Sequence, residues 1–410
     1  MRQDEIMKLL VLLFVFITFN AHPIFAQKQT LRLSTFLAYY SEHALGLKNS
    51  PQSSGKNISK LNIKYDTINT ASQLTLNYNG HNDFALDGSY LQLTKGIATF
   101  GVGKVDRHWS FSDKTSLILS KNARPSDSMY LKLENTFGHN WLPSKANWSF
   151  EVFNGFTKGS LNGSKSMLLG IRAIVSPTER LDFELIQTSQ WGGNKYNNDI
   201  SSLGAALFFD TNSGSNSNIN KMAGFGISYL IPSNIMPVRI YGQAIGEDEA
   251  GNLPSCFAYL AGLEWTNTKI KNPITIGIES IDTRIDTTKH GYCGPNTMYN
   301  NSTYDYTNYG KSIGAAIDTE ATSLGLYVRS QISQKINIEY AAKSVVINDN
   351  NSSGHRLSSN RQPGIISSIG VSWVKNNIRF DGNIYNQTFN LDKANIKSGY
   401  GVGFSSYIIF

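Results

Sequence analysis

Three consecutive acids, Glu247-Asp248-Glu249, close an alternating run, "YGQAIG" (241–246), in a chain whose formal net charge is +7. Paired carboxylates cleave glycosidic bonds when held at a suitable separation. Neighbouring residues on a strand point to opposite faces, so this run places a pair across one bond only with help from a loop. Two other uses are open to the acids: partners for arginines, and contacts with sugar hydroxyls or with a cation that bridges acidic sugars. Nucleophilic catalysis has a weaker basis. There is no Gly-x-Ser-x-Gly elbow, and the seven histidines are scattered. The spaced glycines of "GFGISYL" and "GYGVGF" lie in strand-like segments, where a phosphate cradle is not expected. Cys256 and Cys293 are the only cysteines. They are too few for a structural zinc site, and no histidine pair is well spaced near them. Neither a metal nor a cofactor is expected. The turn "NTKIKNP" between the two cysteines leaves both toward one side of a sheet, so a disulfide and two free thiols both fit.

The elements that must position these residues are strands. Period-2 alternation marks about eighteen segments: 30–41, 57–65, 70–79, 83–93, 96–104, 127–136, 147–155, 165–176, 179–190, 222–232, 237–246, 255–267, 272–284, 319–330, 335–348, 363–374, 377–388 and 398–410. Their connections alternate. Short turns such as "TKG", "SPTE", "NTKIKNP", "SQK" and "KNN" interleave with long loops at 105–126, 191–221, 285–318 and 349–362. An outer-membrane barrel has this rhythm, with tight periplasmic turns and long external loops. In "PVRIYGQAIG", Arg239 and Gln243 share the face that would look into the lumen, and "GEDE" falls where the strand leaves the membrane. Carboxylates in hydrocarbon are very costly; at a pore mouth they are cheap. The expected fold class is therefore all-β: a transmembrane antiparallel β-barrel, integral to the outer membrane of a Gram-negative cell.

The chain ends agree with this reading. Met7-Lys8 precedes the apolar run Leu9–Phe19, and "NAHPIFAQ" offers cleavage after Ala26. That reads as a secretory signal peptide over 1–26, with the barrel over 27–410. Asp4 and Glu5 suit a signal poorly, which makes Met7 the expected start. No cysteine follows the apolar run, which excludes a lipoprotein signal. At the other end, Tyr400, Val402, Phe404, Ile408 and the terminal Phe410 define an apolar face, resembling the signal read by the barrel-insertion machinery. The 37 basic residues form no sharp cluster, so nucleic-acid binding has little support. Contact with outer-membrane lipid and lipopolysaccharide, or with an acidic ligand, would explain the positive balance. No domain boundary is visible, and a monomer is expected.

Five segments in order resemble the Wzi family of capsule-assembly outer-membrane proteins. They are "DRHWSFSDKTSLILSKNARP" (106–125), "LDFELIQTSQWGG" (181–193), "YGQAIGEDEAGNLPS" (241–255), "YLAGLEW" (259–265) and "STYDYTNYGKSIG" (302–314). The resemblance implies an eighteen-stranded barrel that binds capsular polysaccharide and helps hold the capsule at the surface. It implies a lectin-like protein and no enzyme. Two features depart from the family pattern. Its Trp-Trp-Gly-Pro-Gly run is here His108-Trp109-Ser110-Phe111-Ser112, and the helical periplasmic segment of many relatives has no counterpart between Ala26 and the first strand.

Polysaccharide binding needs aromatic faces for sugar rings and polar groups for hydroxyls; an acidic polymer also needs Arg or Lys. The candidates are Arg107, Trp109, Arg124, Gln190, Trp191, Glu247, Asp248, Glu249, Tyr309 and Lys311, with Tyr304 and Tyr306 nearby. Each aromatic could instead belong to the interfacial girdle of a barrel. Arg107 and Arg124 could instead pair with lumen acids. A capsule or exopolysaccharide attachment protein is the leading expectation. A general or sugar-selective porin is the alternative and a barrel hydrolase the third, and a plugged lumen would separate the first from the second.

Overall fold

The computed structural model describes residues 30–41, 44–46, 57–78, 84–136, 146–159, 165–194, 196–208, 219–232, 237–250, 253–285, 293–301 and 303–410. The expected signal segment, 1–26, lies outside them. The strands are β1 (Thr30–Tyr40), β2 (Asn57–Asp66), β3 (Thr70–Tyr78), β4 (Phe84–Ala85), β5 (Tyr90–Lys95), β6 (Ala98–Gly103) and β7 (Asp127–Thr136). Then come β8 (Asn147–Lys158), β9 (Lys165–Thr178), β10 (Leu181–Trp191), helix α1 (Ile200–Phe208), β11 (Asn220–Ile231), β12 (Val238–Ala250), β13 (Leu253–Asn267) and β14 (Ile274–Asp282). The chain finishes with β15 (Thr307–Asn308), β16 (Lys311–Ser312), β17 (Thr322–Ser333), β18 (Ile336–Ile347), β19 (Gln362–Lys375), β20 (Ile378–Gln387) and β21 (Gly399–Ile409).

Eighteen strands close the barrel, each antiparallel to its neighbours, with β21 returning to β1 through seven paired positions from Ser34↔Ile409 to Tyr40↔Gly403. Of the three two-residue strands, β4 belongs to the wall, pairing with β3 ahead of β5 as the first piece of one interrupted strand, while β15 and β16 make a separate hairpin. The expected strand over 83–93 is thus interrupted. The chain turns at Gly88, whose φ of +95° suits glycine and whose added Cβ would meet Thr75 Oγ1 at 3.2 Å. The expected strand ending at 246 instead continues to Ala250, pairing Asp248↔Ser255, Glu249↔Pro254 and Ala250↔Leu253. The acids sit on an extension of the sheet and not beyond its end.

The alternation of each strand divides two solvents. On the outside, Leu37, Phe100, Leu185, Leu263, Ile369 and Phe404 are exposed and contribute to an apolar belt around the wall. On the inside, charges meet across registers, Arg172 with Glu184 and Arg239 with Glu264, and the Tyr327 hydroxyl donates to Glu264. Backbone groups in a bilayer must be satisfied within the protein, and a closed barrel does this with no free edge. This is an outer-membrane barrel.

Candidate functional site: a plugged lumen and its outer rim

Segment 104–126 enters the barrel and is tied to the wall by its own polar groups. Arg107 Nε donates to Glu151 Oε1 at 2.8 Å, and the guanidinium lies 4.1 Å from the centre of the Phe153 ring. Arg239 Nη1 donates to the Phe111 carbonyl at 2.7 Å. Glu279 accepts from Ser112 Oγ and from Tyr241 Oη. Asp113 pairs with Arg329 at 2.8 Å and Lys114 with Glu339 at 2.5 Å. Gln243 makes a two-sided clasp: its Nε2 donates to the Trp109 carbonyl at 2.8 Å, and its Oε1 accepts from Leu117 N at 2.9 Å. Between these ties, Trp109, Leu117, Ile118 and Leu119 are buried in the main core. Burial of such a side chain contributes about 1.5–3 kcal/mol.

A second layer, from 293–321, lies against the first. Tyr299 and Tyr306 stack with centroids 5.8 Å apart, and both are fully buried. Their hydroxyls donate to the carbonyls of Leu117 and Ile118. Tyr306 N donates to Gln190 Oε1 at 3.0 Å and Tyr299 N to Glu247 Oε2 at 3.0 Å. Arg356, from the loop after β18, pairs with Asp318 and donates to the Tyr299 carbonyl at 3.0 Å. Tyr299, Tyr306 and Tyr309 all have left-handed backbones, with φ of 63°, 39° and 52°. Such a conformation costs of order 1–3 kcal/mol in a residue with a Cβ. The hydrogen bonds and packing around each tyrosine hold it there. Cys256 and Cys293 are joined as a disulfide, with Cα atoms 6.1 Å apart, which fastens this loop to the start of β13.

The sequence candidates separate into four places. Arg107, Trp109, Gln190 and Glu247 are buried in or around the plug, each with a protein partner. Trp191 is buried on the opposite side of the wall, its Nε1 donating to Asn154 Oδ1 at 3.2 Å. The side chains of Asp248 and Glu249 lie outside the described residues. Arg124, Tyr309 and Lys311 come together at the outer rim.

At that rim, Arg124 is held by Asp87 through two hydrogen bonds, 2.7 and 3.1 Å, and its guanidinium lies 4.0 Å from the centre of the Tyr309 ring. Lys158 Nζ lies 5.0 Å from the same ring. The β15–β16 hairpin that carries Tyr309 and Lys311 is clamped to the plug segment. Asn122 Nδ2 donates to the Ser312 carbonyl at 2.9 Å, Ser120 Oγ to Gly314 at 2.6 Å, and Asn308 Nδ2 to Arg124 at 2.8 Å. Lys121 and Lys311 are exposed beside it. The surrounding protein, poorer in water than bulk solvent, pushes the Lys311 ammonium down to about 8, although its surface is open. The result is a half-buried aromatic ring among cations on a rigid support. Tyr304 is buried, donating to the Gly192 carbonyl at 2.8 Å, with the exposed Tyr196 ring 6.0 Å from its own. The sequence reading missed Lys121, Lys158 and the lumen acids Glu151, Glu184, Glu279 and Glu339. The acids had a signal: each is a charge in an otherwise alternating strand.

The family model described as "Capsule assembly protein Wzi" matches residues 23–399. The chain belongs to this family. Among solved structures, this Wzi-family chain is similar to the Escherichia coli Wzi, described as an outer-membrane protein involved in group 1 capsule assembly and a carbohydrate-binding β-barrel. The TM-score is 0.74 at 21% identity, over 92% of this chain and 84% of that one. It also shares its fold with Pseudomonas aeruginosa OprD, at TM-score 0.55 and 8% identity over 94% of each chain. A Klebsiella pneumoniae protein described as "Uncharacterized 55.8 kDa protein in cps region" is 26% identical over 205 residues, 49% of this chain. The chain spans about two fifths of the length of that curated relative, 41% of it.

The Wzi-like segments converge in space. Those at 106–125, 181–193, 241–255 and 302–314 meet through Gln243, Gln190, Thr188 and the two stacked tyrosines. Where the Wzi-family chain departs from the glycine-bearing run, His108 Nε2 lies 2.7 Å from the Ser112 carbonyl and closes the turn with a side chain.

Proposed function

We propose that this Wzi-family barrel binds capsular or exopolysaccharide at its outer face and holds it at the cell surface. The observation that carries the reading is the contrast between lumen and rim. The inward segments are packed and tied to the wall on several strands, which disfavours solute passage. The rim offers Tyr309 between Arg124 and Lys158, with Lys121 and Lys311 beside it. Tyr309 supplies a ring face for a sugar, and the cations supply donors for hydroxyls and carboxylates. In this reading Arg124, Tyr309 and Lys311 touch polymer, while Arg107, Trp109, Gln190, Trp191 and Glu247 hold the frame. The barrel binds without breaking bonds: Glu247 receives a backbone N–H from Tyr299 within the plug, a supporting use for an acid.

The test is the partition of polysaccharide between cells and medium in a strain lacking the gene, then in strains carrying Tyr309→Ala or Lys311→Gln. A shift to the released pool, with total amount and chain length unchanged, is the expected result. Unchanged partition would remove the anchoring role. Shortened polymer in the presence of the protein would point to hydrolysis, and an open level in single-channel recordings would point to a porin.

A further inference from the structure

Helix α1 lies on the outside of the barrel. On β10 the inward side chains are Glu184, Ile186, Thr188 and Gln190, which meet the lumen wall and plug. The outward side chains are Phe183, Leu185, Gln187, Ser189 and Trp191. Phe183 and Leu185 are exposed in the apolar belt. The next two outward residues are polar and are covered by the helix. Gln187 Nε2 donates to the carbonyls of Ala206 and Leu207 at 3.0 and 3.3 Å, and Ser189 Oγ donates to Ala206 at 2.8 Å. Carbonyls in the last turn of a helix have no intrahelical partner, so the wall completes the helix as the helix covers the wall. Ala205 and Ala206 pack with Leu169, Trp191 and Ile219. At the other end Asp199 Oδ1 accepts from Ser202 N at 2.7 Å, an N-cap.

The sequence of α1, "ISSLGAALF", has no charged residue. Its ends are nonetheless bare: Ile200 is 88% and Phe208 77% exposed. Directly above the covered wall, Lys158 and Lys165 end β8 and β9 as an opposed pair. They continue the outward faces of Phe156 and Met167. Like charges directly opposite are destabilising. Neither has a carboxylate within ion-pair distance among the described residues, and Lys158 also approaches the Tyr309 ring at 5.0 Å. From the membrane upward the order on this sector is apolar belt, a helix whose one adjoining charge is the Asp199 N-cap, and paired lysines.

We propose that α1 and the Lys158–Lys165 pair seat a phosphorylated glycolipid of the outer leaflet. Its acyl chains lie against Ile200 and Phe208, continuing the lipid contact of Leu185, and its phosphate sits between the two ammonium groups. Amphipathic segments lying at a bilayer interface bind by this combination of apolar area and charge. The seat adjoins the polymer contact at Tyr309 through Lys158, so lipid retention and polysaccharide binding are read separately in the test.

The experiment uses the full disulfide-bonded barrel, purified in detergent and mixed with diphosphorylated or dephosphorylated lipid A, with bound lipid counted by native mass spectrometry. Diphosphorylated lipid A is expected to stay bound; Lys158→Gln with Lys165→Gln weakens it about 10- to 30-fold, and removal of the phosphates does the same. A nitroxide on Phe208→Cys, in bilayers containing lipid A, is expected to be more accessible to oxygen than to a water-soluble nickel chelate. Equal lipid retention by wild type and double variant would overturn the proposal, as would nickel-accessible nitroxide. Spin–spin broadening between labels would instead make this face a contact between copies. Loss of polysaccharide binding with lipid retention intact would give the lysines to the polymer.

Discussion

The plug inside the barrel and the helix outside it are fastened to the same wall by opposite chemistry. Inside, segment 104–126 is held largely by charges: Arg107 to Glu151, Asp113 to Arg329, Lys114 to Glu339. Outside, α1 is held by neutral hydrogen bonds from Gln187 and Ser189 and by two alanines. The wall strands serve both, since alternate residues of β8 and β10 face each way. The difference follows from the solvent. Asp113–Arg329 and Lys114–Glu339 stay partly open to water, so they lose little hydration, while the buried Arg107 is compensated by Glu151, Ser128 and the Phe153 ring. The outer face meets hydrocarbon, where an unpaired charge is costly.

Four measurements would break or sharpen this contrast. The largest effect is expected from replacing residues 108–119 by a short glycine–serine linker. The barrel should change from electrically silent to a stable open level in planar-bilayer recordings. Continued silence would mean that 293–321 and the neighbouring loops suffice to close it. Next is a charge placed under the external helix. Ala206→Lys should destabilise the barrel in liposomes by about 3 kcal/mol, since it both overpacks and buries an ammonium at the lipid side. The matching change inside, Lys114→Met, should cost less than about 1 kcal/mol, because Glu339 is half open to water. Urea unfolding of the two variants compares them directly, and a larger cost for Lys114→Met would reverse the argument.

A smaller effect is expected at the rim. Tyr309→Ala should lower polysaccharide affinity about three- to tenfold by calorimetry, with an unchanged melting temperature. The smallest concerns pH. Because burial pushes Lys311 down to about 8 from its ordinary value of 10.5, it loses its charge in the folded protein first. Affinity for a polyanionic sugar should therefore fall as pH rises through about 8, while Lys311→Arg stays flat. The sign for folding is opposite: between about 8 and 10.5 the unfolded chain binds more protons, so Lys311 favours the folded state increasingly as pH rises. An unaltered pH profile in Lys311→Arg would remove Lys311 from the contact.

Much of the barrel is legible in the sequence because the pleat forces a period of two, and a lipid-facing residue cannot be polar without help. Expected and observed strands differ mainly where the sheet rises above the bilayer, as at Glu247–Ala250, since no apolar face is needed there. Parity could also have separated Gln190 from Trp191: neighbours on β10 face lumen and exterior, and Phe183 and Leu185 already mark the outer side. The site was less legible. Arg107 and Trp109 lie on a segment with no regular period, and only the tertiary path sends them inward. Helix α1 is nine residues long, and its one local signal is Asp199 before an uncharged run. Its existence depends on Gln187 and Ser189, which read as ordinary strand residues.

The clamps on the β15–β16 hairpin bear on how a tether would respond to pulling. A polymer held at Tyr309 and dragged by flow would pull first on Asn122, Ser120 and the Lys158 backbone. From there the pull passes through segment 104–126 to Gln243 on β12, Glu279 on β14 and Glu339 on β18. Contacts loaded side by side share tension and must fail together, whereas contacts in a row peel one at a time. The plug would then act as a spreader, dividing a point force among several strands so that no single loop is drawn out of the barrel.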